Sequence, residues 1–434
     1  MQKNIKKILL IVLIGVLLIP MIQKIIGFAE TEDLDGYFVE TKNPELSWDK
    51  WIDGTYQTNV NQFTEENIGL RNILVRLHNQ ISYSIFNEAN AAGVVIGKNN
   101  ILFEKGYIDA YFGRDFIGKD SINNKADKLQ FINECLNNEG VKLLVVFAPG
   151  KASFFPESIP EKYKSDTLSI TNHEYWLKAC KDRGIPFIDL NSLFPLIKDT
   201  ATYPLYPEYG IHWSFYGMAL GMDSILNYSS KMLGKECRHL KWNKIEIPDT
   251  LRKPDYDIAK GMNLLWQLGY KKMPYPVFEF NNNDSLYHPK VISIADSYYW
   301  QVISAGINRR VFDMGGFWFY YKDAYTNDGY KKVKDIKVVE ELEKQDIVLL
   351  MATEATLHKF AFGFIEDVYE KYKNKIDKEK TASNKEQEVN KIIRSILDSE
   401  QWKKSIEKKA KEKNVTFEEM LKLDAEYMYS QQNK

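Results

Sequence analysis

Short apolar runs alternate with segments whose apolar residues recur at helical spacing through most of residues 93–365. Runs of this length without polar alternation are typical of strands that are buried on both faces of a parallel sheet. Because helical patterns stand between most of the runs, the sequence predicts a three-layer α/β domain with a mainly parallel sheet. The predicted strands cover residues 141–147, 187–190, 291–295, 311–314 and 347–351.

Different patterns flank this core. Residues 64–86 predict one amphipathic helix, and residues 94–103 predict a hairpin that turns at 97–100. Beyond Glu366, lysine, glutamate and asparagine dominate, and helices are predicted near 388–397 and 402–411. The stripe of the first helix consists of Leu70, Ile73, Leu74, Leu77, Ile81 and Ile85.

The N-terminus predicts export. Lys3, Lys6 and Lys7 precede an apolar run over residues 8–22, and a second apolar patch reaches Ala29. Basic residues before such a run hold the start of the chain in the cytoplasm. The run is short for a spanning helix, which is typical of a cleaved signal peptide, but counting through Phe28 gives a sufficient anchor. We favour the uncleaved anchor, with the body outside the cytoplasm in either case.

These patterns together predict four segments. They are a signal anchor or signal peptide (1–29), an N-terminal helical segment (30–92), an α/β domain (93–365) and a C-terminal helical segment (366–434).

Composition excludes some function classes. Lys and Arg (58) nearly cancel Asp and Glu (59), so no basic field exists to attract nucleic acid. The three cysteines are far apart without a C-x-x-C spacing, which argues against a disulfide framework and a zinc site. The six histidines show no spacing typical of metal ligands, and we expect no cofactor.

Ser297 and His212 are the candidate reactive residues. Ser297 follows the predicted strand 291–295, and His212 lies in a loop rich in proline and tyrosine. A serine at a strand end and a loop histidine can form a nucleophile–base pair. Alternatively, Asp296 and Ser297 cap the next helix, and His212 is an inert side chain packed beside Trp213.

The surrounding motifs favour the reactive interpretation. In their order and spacing, the chain resembles the SGNH-like O-acetyltransferases of bacterial exopolysaccharide biosynthesis, which include the alginate O-acetylation proteins and their DHHW-type relatives. The resemblance runs from about Trp51 onward. The motifs are ENIGLR (66–71), GVVIGKNNILFE (93–104), VVFAPGKASFFPESIP (145–160), FIDL (187–190), YGIHWSFYG (209–217), IADSYYW (294–300) and DIVLLMATEATL (346–357).

The resemblance implies an SGNH-hydrolase-like fold and a covalent acyl-transfer site. Ser297 matches the family's nucleophile, with Ala295 in place of the glycine of its G-D-S block, and His212 matches the general base. Gly210 stands where the family usually has an acidic residue, so the orienting carboxylate must come from elsewhere. We favour Glu208, on the same loop. The alternatives are Asp255, Asp257, Asp296, a serine–histidine dyad and an inactive site.

Other residues near this site have open interpretations. Lys151 and Glu354 follow predicted strands, so they either position substrate at the same sheet edge or are solvated loop charges. Two aromatic clusters, 298–300 and 317–321, could face sugar rings, and the second is the better candidate for a sugar-facing lid. Alternatively, half of these aromatics belong to the core and the rest close a protein interface.

The implied activity is transfer of an acetyl group to hydroxyls of an envelope or secreted polysaccharide. The resemblance also implies a membrane-bound O-acyltransferase as the acetyl donor, because acetyl-CoA is absent outside the cytoplasm. Two other functions stay open. A carbohydrate esterase would use the same pair with water as acceptor, and a non-catalytic envelope protein would only bind polysaccharide.

Overall fold

The computed structural model describes residues 2–29, 32–36, 41–164, 169–280 and 285–432. The predicted start of the exported body at Glu30 lies outside these ranges. In the described part of the chain, one helix is long and apolar enough to cross a membrane, at Asn4–Ile26 near the N-terminus.

A seven-stranded sheet forms the centre of the molecule. Its order is β10-β9-β8-β7-β11-β3-β4, in which β8, β7, β11, β3 and β4 are parallel and β9 and β10 add an antiparallel edge. Two short antiparallel pairs, β1–β2 and β5–β6, lie outside it. The strands are β1 (Val94–Ile96), β2 (Leu102–Glu104), β3 (Lys142–Ala148), β4 (Phe187–Asp189), β5 (Lys241–Glu246), β6 (Tyr275–Glu279), β7 (Lys290–Ala295), β8 (Asp313–Phe319), β9 (Asp323–Thr326), β10 (Gly329–Lys332) and β11 (Ile347–Thr353).

Helices surround this sheet and extend from both ends of the chain. They are α1 (Gln2–Ile26), α2 (Trp48–Ile52), α3 (Thr55–Asn67), α4 (Arg71–Ile81), α5 (Lys105–Tyr111), α6 (Lys119–Asn138), α7 (Lys151–Phe154), α8 (Asn172–Asp182), α9 (Leu190–Ile197), α10 (Phe215–Leu233), α11 (Asp257–Gly261), α12 (Tyr299–Ser304), α13 (Ile307–Arg310), α14 (Val338–Leu342), α15 (Phe364–Leu397), α16 (Glu400–Lys413) and α17 (Phe417–Gln432).

Both faces of the sheet are buried. Alternate residues of β3 enter different cores, with Leu144 and Val146 on one face and Val145 and Phe147 on the other. The first core includes side chains from α9, α10 and α12, and the second includes side chains from α6, α8 and α15. The predicted three-layer α/β architecture with a mainly parallel sheet is therefore confirmed.

The strand predicted at 311–314 is displaced. β8 begins at Asp313 and continues to Phe319, because Phe317, Trp318 and Phe319 pair in register with the last three residues of β7. Phe317 and Trp318 are buried in the two cores, so the prediction of a sugar-facing lid is wrong for these two residues.

The single helix predicted over residues 64–86 is also wrong. α3 ends at Asn67, Ile68 is extended, and Leu70 has a left-handed backbone with φ of 57°. Gly69 lies against α1: a Cβ there would come within 1.9 Å of the Pro20 carbonyl oxygen. The apolar periodicity continues through this corner, so the pattern alone did not reveal the break.

The C-terminal part is helical, as predicted. α15 is one continuous helix of 34 residues that contains the predicted segment 388–397, and α16 contains 402–411. α15, α16 and α17 share a small apolar core of their own.

Candidate active site

Ser297 lies in the turn between β7 and α12, at the carboxyl edge of the sheet. Asp296 fixes this turn. Its Oδ1 accepts the Tyr298 backbone N–H at 3.1 Å, and its Oδ2 accepts the backbone N–H and the hydroxyl of Thr353, both at 2.8 Å. Because these groups tie the end of β7 to that of β11, Asp296 is a structural anchor of the turn. Both of its carboxylate oxygens accept hydrogen bonds in this turn.

His212 reaches Ser297 from the loop between α9 and α10. Its Nε2 lies 3.1 Å from Ser297 Oγ, and its ring packs against Tyr298 at 4.9 Å between centroids. Tyr298 also donates its hydroxyl hydrogen bond to the Ile211 carbonyl at 2.8 Å. The expected proximity of Ser297 and His212 is therefore present, and Tyr298, the residue after the serine, fixes the histidine loop.

Asp257 supplies the carboxylate beside His212. Its Oδ2 lies 3.0 Å from His212 Nδ1, and its Oδ1 accepts the Ile211 backbone N–H at 2.9 Å. Asp257 is the first residue of α11, 45 residues after the histidine. With both oxygens engaged, the carboxylate holds the ring and its loop together and leaves Nε2 facing the serine.

The position predicted for Glu208 is wrong. Its carboxylate pairs with Lys271 Nζ at 2.7 Å instead of approaching His212. The Glu208 backbone is held in place, because its carbonyl accepts the Leu102 N–H at 3.0 Å and Lys151 Nζ at 2.9 Å.

Asp255 is not the carboxylate that orients His212 either, although it is only two residues from Asp257. Its side chain is buried and accepts the Tyr275 hydroxyl at 2.6 Å. Burial raises the pKa of Asp255 to about 6, and the nearby charge of Asp257 adds to the rise.

Gly210 explains how a distant aspartate reaches this loop. A Cβ at Gly210 would lie 2.2 Å from the Pro254 carbonyl oxygen and 2.9 Å from Asp255 Cα. The segment that carries Asp257 therefore packs directly on the glycine. The glycine at the usual acidic position indicated that another segment could approach closely there. The sequence did not indicate which of the nearby carboxylates would orient His212.

Lys151 and Glu354 are both buried at the sheet edge, so their interpretation as solvated loop charges is wrong. Lys151, the first residue of α7, donates from Nζ to the carbonyls of Glu208 and Gly210 at 2.9 and 2.6 Å and so supports the histidine loop. Burial lowers the pKa of Lys151 to about 7 against the opposing effect of nearby carboxylates. Burial likewise raises the pKa of Glu354 to about 7, while the hydrogen bond from Ser153 at 2.6 Å opposes the rise.

Tyr320 is the part of the second aromatic cluster that reaches the site. Its backbone N–H donates to the Ala295 carbonyl at 3.0 Å, and both Tyr320 and Tyr321 have left-handed backbones, with φ of 49° and 54°. Burial and the nearby charge of Asp296 raise the pKa of Tyr320, and the proximity of Ser297 opposes that rise. Two adjacent non-glycine residues in this conformation carry strain, which here brings a phenol to the serine.

Comparison with protein families supports the resemblance seen in the motifs. Residues 94–233 match the family model described as an SGNH hydrolase-like domain, acetyltransferase AlgX. The match includes His212 and ends before Asp257 and Ser297. The family resemblance and the SGNH-like fold class are thereby confirmed. No curated protein sequence matches the chain.

Three solved structures similar to this chain come from two Pseudomonas species and from Bacillus cereus. The O-acetyltransferase domain of Pseudomonas putida AlgJ has a TM-score of 0.43 at 12% identity, covering 64% of this chain and 99% of that one. Pseudomonas aeruginosa AlgX has a TM-score of 0.40 at 13% identity, with 63% and 67% covered. Bacillus cereus PatB1 has a TM-score of 0.37 at 14% identity, with 56% and 93% covered.

Proposed function

We propose that this protein is an O-acetyltransferase that transfers acetyl groups through Ser297 to hydroxyls of an envelope or secreted polysaccharide. One observation carries the proposal. Ser297 Oγ, the His212 ring and the Asp257 carboxylate form a continuous chain of contacts of 3.1 and 3.0 Å at the carboxyl edge of the sheet. That order is the arrangement of a nucleophile, its general base and the group that orients the base.

The reaction has two half-reactions. His212 Nε2 takes the proton from Ser297 Oγ as the oxygen attacks the acetyl carbonyl, and the imidazolium then protonates the departing donor group. In the second half, a sugar hydroxyl gives its proton to Nε2 and attacks the acetyl-serine, and Ser297 leaves with that proton. Asp257 stabilises the imidazolium in both halves and holds the tautomer in which Nδ1 carries hydrogen.

Two donors near Ser297 suit the oxyanion of the tetrahedral intermediates. They are the Ser297 backbone N–H and the hydroxyl of Tyr320, a residue whose side chain lies near Ser297. Another N–H at this edge, that of Gly150, already donates to Asn191 Oδ1 at 2.6 Å. A preorganised donor is worth several kcal/mol of transition-state stabilisation, on the order of 3 kcal/mol in measured cases. We therefore assign Tyr320 and the serine N–H to the oxyanion.

The helix α1 supports a reaction outside the cytoplasm, with an uncleaved α1 as the membrane anchor of the body. Lys6 and Lys7 precede the apolar part of this helix, and the positive-inside bias puts the body outside the cytoplasm. A membrane-bound O-acyltransferase would then supply the acetyl group, since acetyl-CoA is a cytoplasmic donor. A reporter fused after Lys434 should be active only in its exported form, and activity in the cytoplasmic form would contradict this placement.

An acetyl-transfer assay tests the proposal. Purified protein is incubated with an activated acetyl ester, with and without an oligosaccharide, and both products are measured. We expect acetylated oligosaccharide, and we expect its loss in Ser297→Ala. Free acetate alone, unchanged by the oligosaccharide, would identify an esterase. No reaction and no labelling of Ser297 by serine-directed probes would favour a non-catalytic binding protein.

A further inference from the structure

The helix α4 has its polar side against the protein, which is the reverse of an ordinary surface helix. Its polar side contacts the protein: Asn72 Nδ2 donates to the Glu32 carbonyl at 3.1 Å, Arg76 Nη2 donates to the Asp33 carbonyl at 2.7 Å, and Asn79 Nδ2 donates to the Met262 carbonyl at 2.9 Å. Asn79 is buried by this contact. The side that normally faces water is therefore the side that holds α4 to the body.

The apolar side of α4 points away from the body. We call Leu74, Leu77, Ile81 and Ile85 the outward stripe; their exposures are 45%, 40%, 43% and 70%. The first three lie on α4, and Ile85 lies in the wide helical turn that follows it at Ser82–Phe86. At spacings of three and four residues these side chains share one face, opposite Asn79 and Arg76. A row of aliphatic side chains exposed along a helix is a binding surface rather than a random exposure.

The outward stripe begins where the apolar helix α1 meets the body. The Leu70 backbone N–H donates to Gln23 Oε1 at 3.0 Å, and Gly69 packs on the Pro20 carbonyl. Pro20 lies six residues before the last residue of α1, which is about 9 Å along the axis at 1.5 Å per residue. α4 therefore starts beside the last turns of a helix whose own apolar surface is exposed along its length.

We propose that the outward stripe lies on the lipid bilayer at the outer interface, beside the span formed by α1. A membrane surface covers an apolar helix face that adjoins a spanning helix, because both meet the same hydrocarbon boundary. This gives the protein a second attachment next to its anchor. The inference rests on the anchoring part of the proposed function and is independent of the acyl-transfer chemistry.

Spin labels on full-length protein in phosphatidylcholine–phosphatidylglycerol vesicles test this proposal. Cys135, the one native cysteine that is not buried, is first replaced by serine. Single cysteines then replace Leu77, Ile81 or, as the matched control, Leu423, which is 49% exposed on the distant helix α17. Collision with dissolved oxygen and with a water-soluble nickel chelate reports whether each label lies in lipid or in water.

We expect the labels at Leu77 and Ile81 to show severalfold lower nickel accessibility and higher oxygen accessibility than the label at Leu423. Equal nickel accessibility at all three positions would overturn the proposal. Labels shielded from both reagents would also overturn it, because they would place a protein surface, a second copy or another chain, on the stripe.

Two further measurements keep the result interpretable. Retention of the protein in the vesicle pellet after an alkaline wash tests the anchor α1 separately from the stripe. Labelling of Ser297 by a serine-directed probe shows that each cysteine variant is folded and tests the proposed chemistry separately from membrane contact.

Discussion

The histidine loop and the 253–261 segment pack together at Gly210, and their carboxylates have different partners. In the histidine loop, Glu208 is close to His212 in sequence, but its carboxylate pairs with Lys271 at the surface. In the 253–261 segment, Asp257 is distant in sequence, yet it contacts both the His212 ring and the Ile211 N–H. Nearness along the chain therefore did not decide which acid orients the histidine; the approach of two backbones at Gly210 did.

A second contrast lies within the 253–261 segment. Asp255 is fully buried beside Tyr275, whereas the Asp257 side chain keeps 25% of its surface exposed and has a histidine and an N–H as partners. A carboxyl buried beside a tyrosine hydroxyl contributes to packing, whereas a carboxylate that contacts both the His212 ring and its loop can take part in the reaction. We therefore expect Asp257 to act in the reaction and Asp255 to act in folding.

Asp257→Asn should cause the largest loss. The amide cannot stabilise the imidazolium and can hold the wrong tautomer, so acylation of Ser297 should fall by about 10⁴-fold. The rate of labelling by a sulfonyl fluoride measures this directly. A loss of less than about tenfold, well below that expectation, would mean that the pair works as a dyad.

Gly210→Ala should cause the next largest loss. The new Cβ would push the histidine loop away from the Pro254 carbonyl, so the contact between His212 and Asp257 should lengthen. Displacement by about 1 Å can cost on the order of 10²-fold in rate. Gly261→Ala is the control, because a Cβ at Gly261, in the same helix as Asp257, would meet no atom within 4 Å. Equal acylation rates for the two variants would contradict the close approach.

Asp255→Asn should change the pH dependence of stability and leave acylation nearly unchanged. The pKa of Asp255 is raised from 3.8 to about 6, so the native state binds the proton more tightly and loses stability as pH rises between these values. The loss is at most about 3 kcal/mol. The difference in unfolding free energy between the variant and the wild type, measured by urea unfolding, should be more favourable to the variant at pH 7 than at pH 4. An unchanged difference would show that Asp255 does not titrate in this range.

Glu208→Gln should have the smallest effect. It removes a surface ion pair with Lys271, which is worth about 0–1 kcal/mol, and leaves the contacts of His212 intact. The acylation rate should stay within about twofold of the wild type. A loss comparable to that of Asp257→Asn would return the orienting role to Glu208.

The sequence predicted those parts of the site that depend on strand ends. Apolar runs located β3, β7 and β11, and parallel strands place the residues after them at one edge. Ser297, Lys151 and Glu354 were therefore located correctly. Burial of Lys151 and Glu354 was not predicted, because it depends on loops that cover the edge.

The parts that sequence did not predict depend on contacts between distant segments. The choice of Asp257 over Glu208 follows from packing of the 254–255 backbone on Gly210, which no local pattern records. For a similar reason, the sequence did not predict that the apolar side of α4 faces away from the body. An apolar stripe indicates an amphipathic helix, but the hydrogen bonds of Asn72, Arg76 and Asn79 decide which side meets the protein.

Locating the acyl group by peptide mass spectrometry tests the central claim most directly. Protein treated with an activated acetyl ester is quenched, digested and mapped, with and without an oligosaccharide chase, and Asp257→Asn and Glu208→Gln are treated in parallel. We predict acetyl on the peptide that contains Ser297 in the wild type and in Glu208→Gln, its removal by the oligosaccharide, and very little in Asp257→Asn. Acetyl on another residue, or equal acetylation of Ser297 in Asp257→Asn and the wild type, would contradict the assignment of Ser297, His212 and Asp257.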